Sequence, residues 1–187
     1  MNTTRVVISG GPGTGKTSVI KMLEESGFFC FHEIIRSMTS NAKKEGNPEA
    51  FVSNPIVSVS NPAEFNEMIL QGRIDQFKRL SEVKGRPAFY DRGIPDVLAY
   101  MDFFGQSYED HFVSACKTHL YDTVFLLPPW KEIYVSDNER FESFEEAVQV
   151  HEHLERTYRR FGYDIVMVPL TNVEERLAFI LNRLKLQ

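Results

Sequence analysis

Short apolar or aromatic runs alternate with amphipathic stretches along most of the chain. The runs cover residues 5–9, 28–32, 88–91, 122–127 and 164–168. Each is too short for a helix of its own and reads as a buried strand. Between them, apolar residues recur every three or four positions. Residues 15–25 form the first such helical stretch, and Gly27 is placed to stop it. A second, 62–83, carries Phe65, Ile69, Phe77, Leu80 and Val83 on one face. Residues 95–103 and 108–119 also read as helical. A longer helix begins after Ser143 and buries Phe144, Ala147, His151, Leu154, Tyr158 and Phe161, with Gly162 closing it. The last helix packs through Leu177, Ile180, Leu181 and Leu184. Start signals support these assignments: Asn61-Pro62-x-Glu64, Ser143-x-x-Glu146 and Asn172-x-x-Glu175 each place a capping side chain before an acid.

Strands alternating with helices predict a parallel sheet covered on both faces. The expected fold is α/β, three layers α/β/α with a five-stranded parallel sheet. One domain, 1–187, should hold it. Two stretches fit neither period. Residues 46–61 are punctuated by Asn47-Pro48, Asn54-Pro55 and Asn61-Pro62, and form a loop long enough to be mobile or to face a substrate. Residues 131–142 are polar, and part of 32–45 reads as helix.

The candidate chemistry starts where the first strand meets the first helix. Gly10, Gly11, Pro12, Gly13, Thr14, Gly15, Lys16 and Thr17 fit G-x-x-x-x-G-K-[ST], followed by Ser18. Strand before and helix after is the setting that the motif requires. Its glycines let backbone N–H groups turn inward on phosphate oxygens at a helix N-terminus. Lys16 would bridge the terminal phosphates of a nucleoside triphosphate, ATP or GTP, and the Thr17 hydroxyl would hold Mg²⁺.

Composition narrows the partners. The 187 residues are 42% hydrophobic and 25% charged, with a net charge of −5. Those are globular values with no basic block, so a broad nucleic-acid surface is not expected. The two cysteines, Cys30 and Cys116, lie in no metal or redox spacing, and Cys30 reads as a small buried hydrophobe. No stretch approaches membrane length, residues 6–8 are too short for a signal sequence, and a cytoplasmic location is expected.

Further candidates sit at strand ends, where ligands bind in open α/β sheets. Asp91 ends a strand expected beside the first one, and could bind Mg²⁺ or orient an acceptor hydroxyl. Arg92 could neutralise a transferring phosphoryl group or pair with a neighbouring carboxylate. Glu33 ends the second strand, also expected beside the first, and could accept a proton from a substrate hydroxyl. Arg36, one turn on, could bind an anionic part of the acceptor or simply pair with Glu33. Arg140 is the candidate mobile arginine of phosphoryl transfer. Arg73 and Gln76 could reach an acceptor, although a solvent-facing position is the plainer reading. Arg156, Arg159 and Arg160 read as solvated, and His151 and His153 diverge too far to share a metal.

These residues together resemble the P-loop kinase-like branch of the AAA-labelled predicted ATPases, which includes ribosylnicotinamide kinase domains and GTP-binding proteins of the TRPL-translocation-defect type. The resemblance is carried by residues 10–17, His32-Glu33-Ile34-Ile35-Arg36, Phe89-Tyr90-Asp91-Arg92-Gly93-Ile94-Pro95-Asp96, Val124-Phe125-Leu126-Leu127-Pro128-Pro129, Asp137-Asn138-Glu139-Arg140 and Val173-Glu174-Glu175-Arg176. It implies an acceptor-side segment over about 33–85, a lid over about 128–143 that carries Arg140, and a loop beside the base at 168–173. No N-K-x-D guanine motif is present, which disfavours a Ras-like GTPase. The leading expectation is a small-molecule kinase of nucleoside or nucleotide type. A nucleotide-dependent switch that binds a protein partner, or a simple hydrolase, are the alternatives.

Overall fold

The computed structural model describes residues 3–34, 61–82, 86–134 and 143–186. Five strands, β1 (Arg5–Gly10), β2 (Phe29–Phe31), β3 (Ala88–Asp91), β4 (Thr123–Leu127) and β5 (Ile165–Met167), form one sheet in the order β2-β3-β1-β4-β5. All four pairings are parallel. The helices are α1 (Lys16–Glu25), α2 (Pro62–Lys78), α3 (Pro95–Phe103), α4 (Asp110–Thr118), α5 (Phe144–Arg160) and α6 (Val173–Arg183). This is the expected α/β fold with a five-stranded parallel sheet.

Burial on both sides of the sheet explains why the strands read as unbroken apolar runs. Val6, Val7 and Ile8 are all 0% exposed. Val6 and Ile8 pack with Val19 and Leu23 of α1 and Ile180 of α6. Val7 points the other way, towards Leu70 of α2, Leu98 of α3, Phe112 of α4 and Tyr158 of α5. Helices on opposite faces of the sheet give the three layers.

The local signals act as their chemistry requires. The Asn61 and Asn172 side chains accept from the backbone N–H of Glu64 and Glu175. Ser143 and Glu146 cap α5 reciprocally. Each such cap is worth about 1 kcal/mol.

One strand lies elsewhere than expected. β1 has β3 on one side and β4 on the other, so the strand leading to Glu33 is not its neighbour. β2 pairs instead with β3, with Phe29 opposite Ala88, and takes the sheet edge. The longer β4 is buried from Val124 to Leu127 and suits the centre. β2 has three residues, and Phe29 remains 42% exposed.

Candidate functional site

The chain order reverses at β1, between β3 and β4, so the carboxyl ends of β1 and β3 open on the crevice where such sheets bind ligands. The loop from Gly10 to Gly15 rises from that end. Gly13 has φ 69°, and a Cβ there would lie 2.4 Å from the Tyr134 ring. Gly15, at φ 83°, leads directly into α1. Inside the loop, Thr14 Oγ1 donates to the Gly11 carbonyl at 3.0 Å, and Lys16 Nζ donates to the same oxygen at 2.8 Å. The N-terminus of α1 has no side-chain cap and no acid in its first turn, whereas the other described α-helices carry one. Its positive end is therefore left to an anion. Thr17 and Ser18 are exposed on that first turn.

A buried charge cluster faces the loop. Arg92 follows β3 with φ 75°, a left-handed conformation that costs a bulky residue roughly 1–3 kcal/mol. Its surroundings hold it there. The Arg92 N–H donates to the Ile8 carbonyl at 3.1 Å. The guanidinium pairs with Glu33, reaches the Gly10 carbonyl at 3.3 Å and Asp96 at 3.4 Å, and packs on the Tyr100 ring. Arg73 of α2 comes in from the other side. It donates to the Gly93 carbonyl and to Glu33 Oε1, the latter at 3.3 Å. Glu33 is thus held between two arginines.

Asp96 anchors the cluster from below and is 0% exposed. It accepts from Ser9 Oγ at 2.7 Å, from the Gly93 N–H at 2.9 Å and from the Tyr158 hydroxyl. Burial alone would raise its pKa. The charges of Arg73 and Arg92, with the Tyr158 and Ser9 hydrogen bonds, outweigh burial and hold the carboxyl below its ordinary value. Lys16 shows the opposite balance. Burial, and next the charge of Arg92, push its amine down to about 7, against the pull of Asp91, Glu33 and Asp96. For Arg92, burial works against the charge, but Tyr100, Glu33, Asp96 and Asp91 keep its pKa well above the ordinary value.

The structure therefore brings together Lys16, Glu33, Arg73, Asp91 and Arg92. Arg73 is 4% exposed, which overturns the solvent-facing reading. It lies one turn from Ile69 and Phe77 on the inner face of α2. Gln76 donates to the His32 carbonyl. Exposed Arg159 pairs with Glu155, and Arg160 with Tyr108. Arg36, Arg140 and residues 46–60 and 135–142 lie outside the described residues. Asp96 and Arg176 lie within motifs that carry the family resemblance and Tyr158 on an apolar helix face, but none of them, nor Ser9, stands out in the sequence as a site residue. Arg176, 1% exposed, ties the phosphate-loop region to the loop before α6: Nη1 donates to the Thr14 carbonyl at 2.7 Å and Nε to the Pro169 carbonyl at 3.1 Å. Its guanidinium packs over the Trp130 ring, 4.9 Å from the centroid.

Among the described residues, no group of three His, Cys, Asp or Glu side chains could hold a metal by itself, and no helix is long and apolar enough to cross a membrane. A hydroxyl at Thr17 and a carboxylate at Asp91 are hard oxygen donors. They suit Mg²⁺ shared with phosphate oxygens and water.

The family described as "AAA domain" matches residues 5–176. No curated protein matches the chain. Among solved structures, the chain is similar to deoxyadenosine kinase from M. mycoides with products dCMP and dCDP bound, at 14% identity and a TM-score of 0.66, covering 97% of this chain and 99% of that one. It is similar to thymidylate kinase from Candida albicans at 16% identity and a TM-score of 0.67, covering 98% and 93%. The NadR protein in complex with NR matches at 18% identity and a TM-score of 0.73, over 100% of this chain and 53% of that one. These likenesses concern the fold.

Proposed function

The chain belongs to the AAA domain family matched over residues 5–176, and from that premise we propose that it transfers the γ-phosphate of a nucleoside triphosphate, ATP or GTP, to a hydroxyl of a small nucleoside- or nucleotide-like acceptor. The observation that carries the proposal is the meeting of Glu33, Arg92 and Lys16 at the mouth of the loop that ends β1. A site that only holds nucleotide has no need of a carboxylate fixed opposite the loop by two buried arginines.

The backbone N–H groups of residues 11–16 would cradle the triphosphate, and Lys16 would turn from the Gly11 carbonyl to the β- and γ-phosphoryl oxygens. Thr17 and Asp91 would hold Mg²⁺, which when bound supplies positive charge to the same oxygens. Glu33 would accept the proton of the acceptor hydroxyl as its oxygen forms a bond to phosphorus. The bond from phosphorus to the β–γ bridging oxygen breaks, and the diphosphate leaves with that electron pair. Arg92, 13% exposed and rigidly held, would face charge developing on the transferred group. Catalysis of this type is positioning and electrostatics, and the buried cluster supplies both.

The test is release of ADP from ATP and Mg²⁺ with and without a panel of nucleosides and nucleotides. Acceptor-dependent release with a phosphorylated product supports the proposal. Release that is indifferent to every acceptor and yields only orthophosphate refutes it.

A further inference from the structure

The cluster opposite the phosphate loop also speaks to which acceptor it takes, and the following rests on the kinase reading. We infer that the acceptor presents an uncharged hydroxyl end, as a nucleoside does, and that 5′-monophosphates are not its substrates. The reason is the charge balance of the described cluster. Arg73 and Arg92 face Glu33 and Asp96: two cations, two anions, all 14% exposed or less. Lys16 and Asp91 add one charge of each sign. Once Lys16 turns to the triphosphate, the cations of the described cluster do not outnumber its anions, and none is in excess for a second phosphate.

The hydrogen bonds say the same. Arg73 spends Nη1 on the Gly93 carbonyl and Nη2 on Glu33 Oε1, and its Nε is buried without a partner. Arg92 spends Nε on Glu33 Oε2 and Nη1 on the Gly10 carbonyl and Asp96. A phosphate monoester that took the edges of these guanidiniums now facing Glu33 would expel it from a pairing that is nearly closed to water, and a buried carboxylate without its partners is costly. It would also set two negative charges beside Glu33 and Asp91. A hydroxyl asks for nothing of the kind. A carboxylate offers about four lone-pair positions, and among the described residues each Glu33 oxygen has one arginine partner. Room remains on either oxygen for a third donor, the acceptor O–H. The arginines in this view are positioning residues for Glu33 and do not grip the acceptor.

Two measurements on the full chain test this. First, the common ribo- and deoxyribonucleosides and their 5′-monophosphates are compared as acceptors with Mg-ATP. The nucleoside set should contain the substrate, with kcat/KM at least about a hundredfold above that of the corresponding monophosphate, the ratio expected when a buried ion pair must be broken. Phosphorylation of monophosphates at equal or greater efficiency overturns the inference and leaves the kinase reading standing. No phosphorylated product from either set overturns the kinase reading, and the second measurement still decides the charge argument. In it, the 5′-monophosphates and parent nucleosides are titrated by calorimetry into wild type and Glu33→Gln, each saturated with a non-hydrolysable ATP analogue and Mg²⁺. Wild type should show no affinity gain from the phosphate. Glu33→Gln, which removes the carboxylate charge that both arginines share, should bind the monophosphates about tenfold or more tightly than wild type does. A wild type that prefers monophosphates, or a folded variant that gains nothing, contradicts the inference.

Discussion

Replacing Asp96 by alanine removes a buried acceptor on which four groups of the cluster converge. Ser9 Oγ, the Gly93 N–H and the Tyr158 hydroxyl lose their partner, and Arg92 loses one of two carboxylates. Breaking a buried ion pair costs about 3–5 kcal/mol, and each buried donor left without an acceptor about 1–3 kcal/mol. All these losses share one side chain and do not add. The expected loss is about 4 kcal/mol, a large part of the ~5–15 kcal/mol that holds an ordinary domain together. Asp96→Asn keeps the shape and one acceptor oxygen, and should lose roughly half as much. Urea denaturation at neutral pH and in acid gives the values. The sign of the acid effect follows from the lowered pKa of Asp96. Its contribution is whole above the ordinary aspartate value and fades as pH falls towards the folded value, so the gap between wild type and Asp96→Ala should narrow in acid. A loss at neutral pH below about 1 kcal/mol, or a gap that stays constant in acid, would refute the assignment of Asp96 as the anchor.

Three further outcomes follow from the same geometry. Because burial pushes the Lys16 amine down to about 7 and a bound triphosphate favours its charged form, nucleotide binding should take up a proton about one pH unit above that value and little about one unit below it; calorimetry in buffers of different ionisation enthalpy reads this directly, and equal uptake at both would contradict it. Gly13→Ala meets both a positive φ and the Tyr134 ring, so it should weaken triphosphate affinity and lower stability by about 1–2 kcal/mol, measured by titration and thermal melting. Arg176→Ala leaves the Thr14 and Pro169 carbonyls without their donor and should lower stability by about 2–4 kcal/mol while loosening triphosphate binding; a variant with unchanged affinity would show that the loop does not depend on it.

The fold was legible because its signals are local. Val6 to Ile8, the Ser143 and Asn172 caps and the positive φ of Gly27 and Gly162 are set by a few neighbouring residues. The order of the strands was less so: nothing within Phe29–Phe31 says which strand it will pair with, and that pairing decided where Glu33 stands. The phosphate loop was visible for the same reason as the caps, since its glycines and lysine follow one another in the chain. The buried charges were harder. Asp96 reads as an ordinary acid in a helix's first turn, and only the packing of α5 brings Tyr158 to it across 62 positions. Arg73 and Arg176 did leave a trace. Arg73 lies in phase with Ile69 and Phe77, and Arg176 with Ile180, so the helical period places both cations on an inner face. Polarity argued for solvent, and phase was the better guide.

The central claim is that the γ-phosphate leaves the triphosphate for a hydroxyl held at Glu33. Phosphorus NMR of Mg-ATP turnover by the full chain, with the nucleoside panel present, follows that group directly. The γ-phosphate signal should decay into that of a phosphate monoester, matched in amount to the diphosphate formed and abolished in Lys16→Ala. Decay into orthophosphate alone, at the same rate with and without nucleosides, would contradict the account.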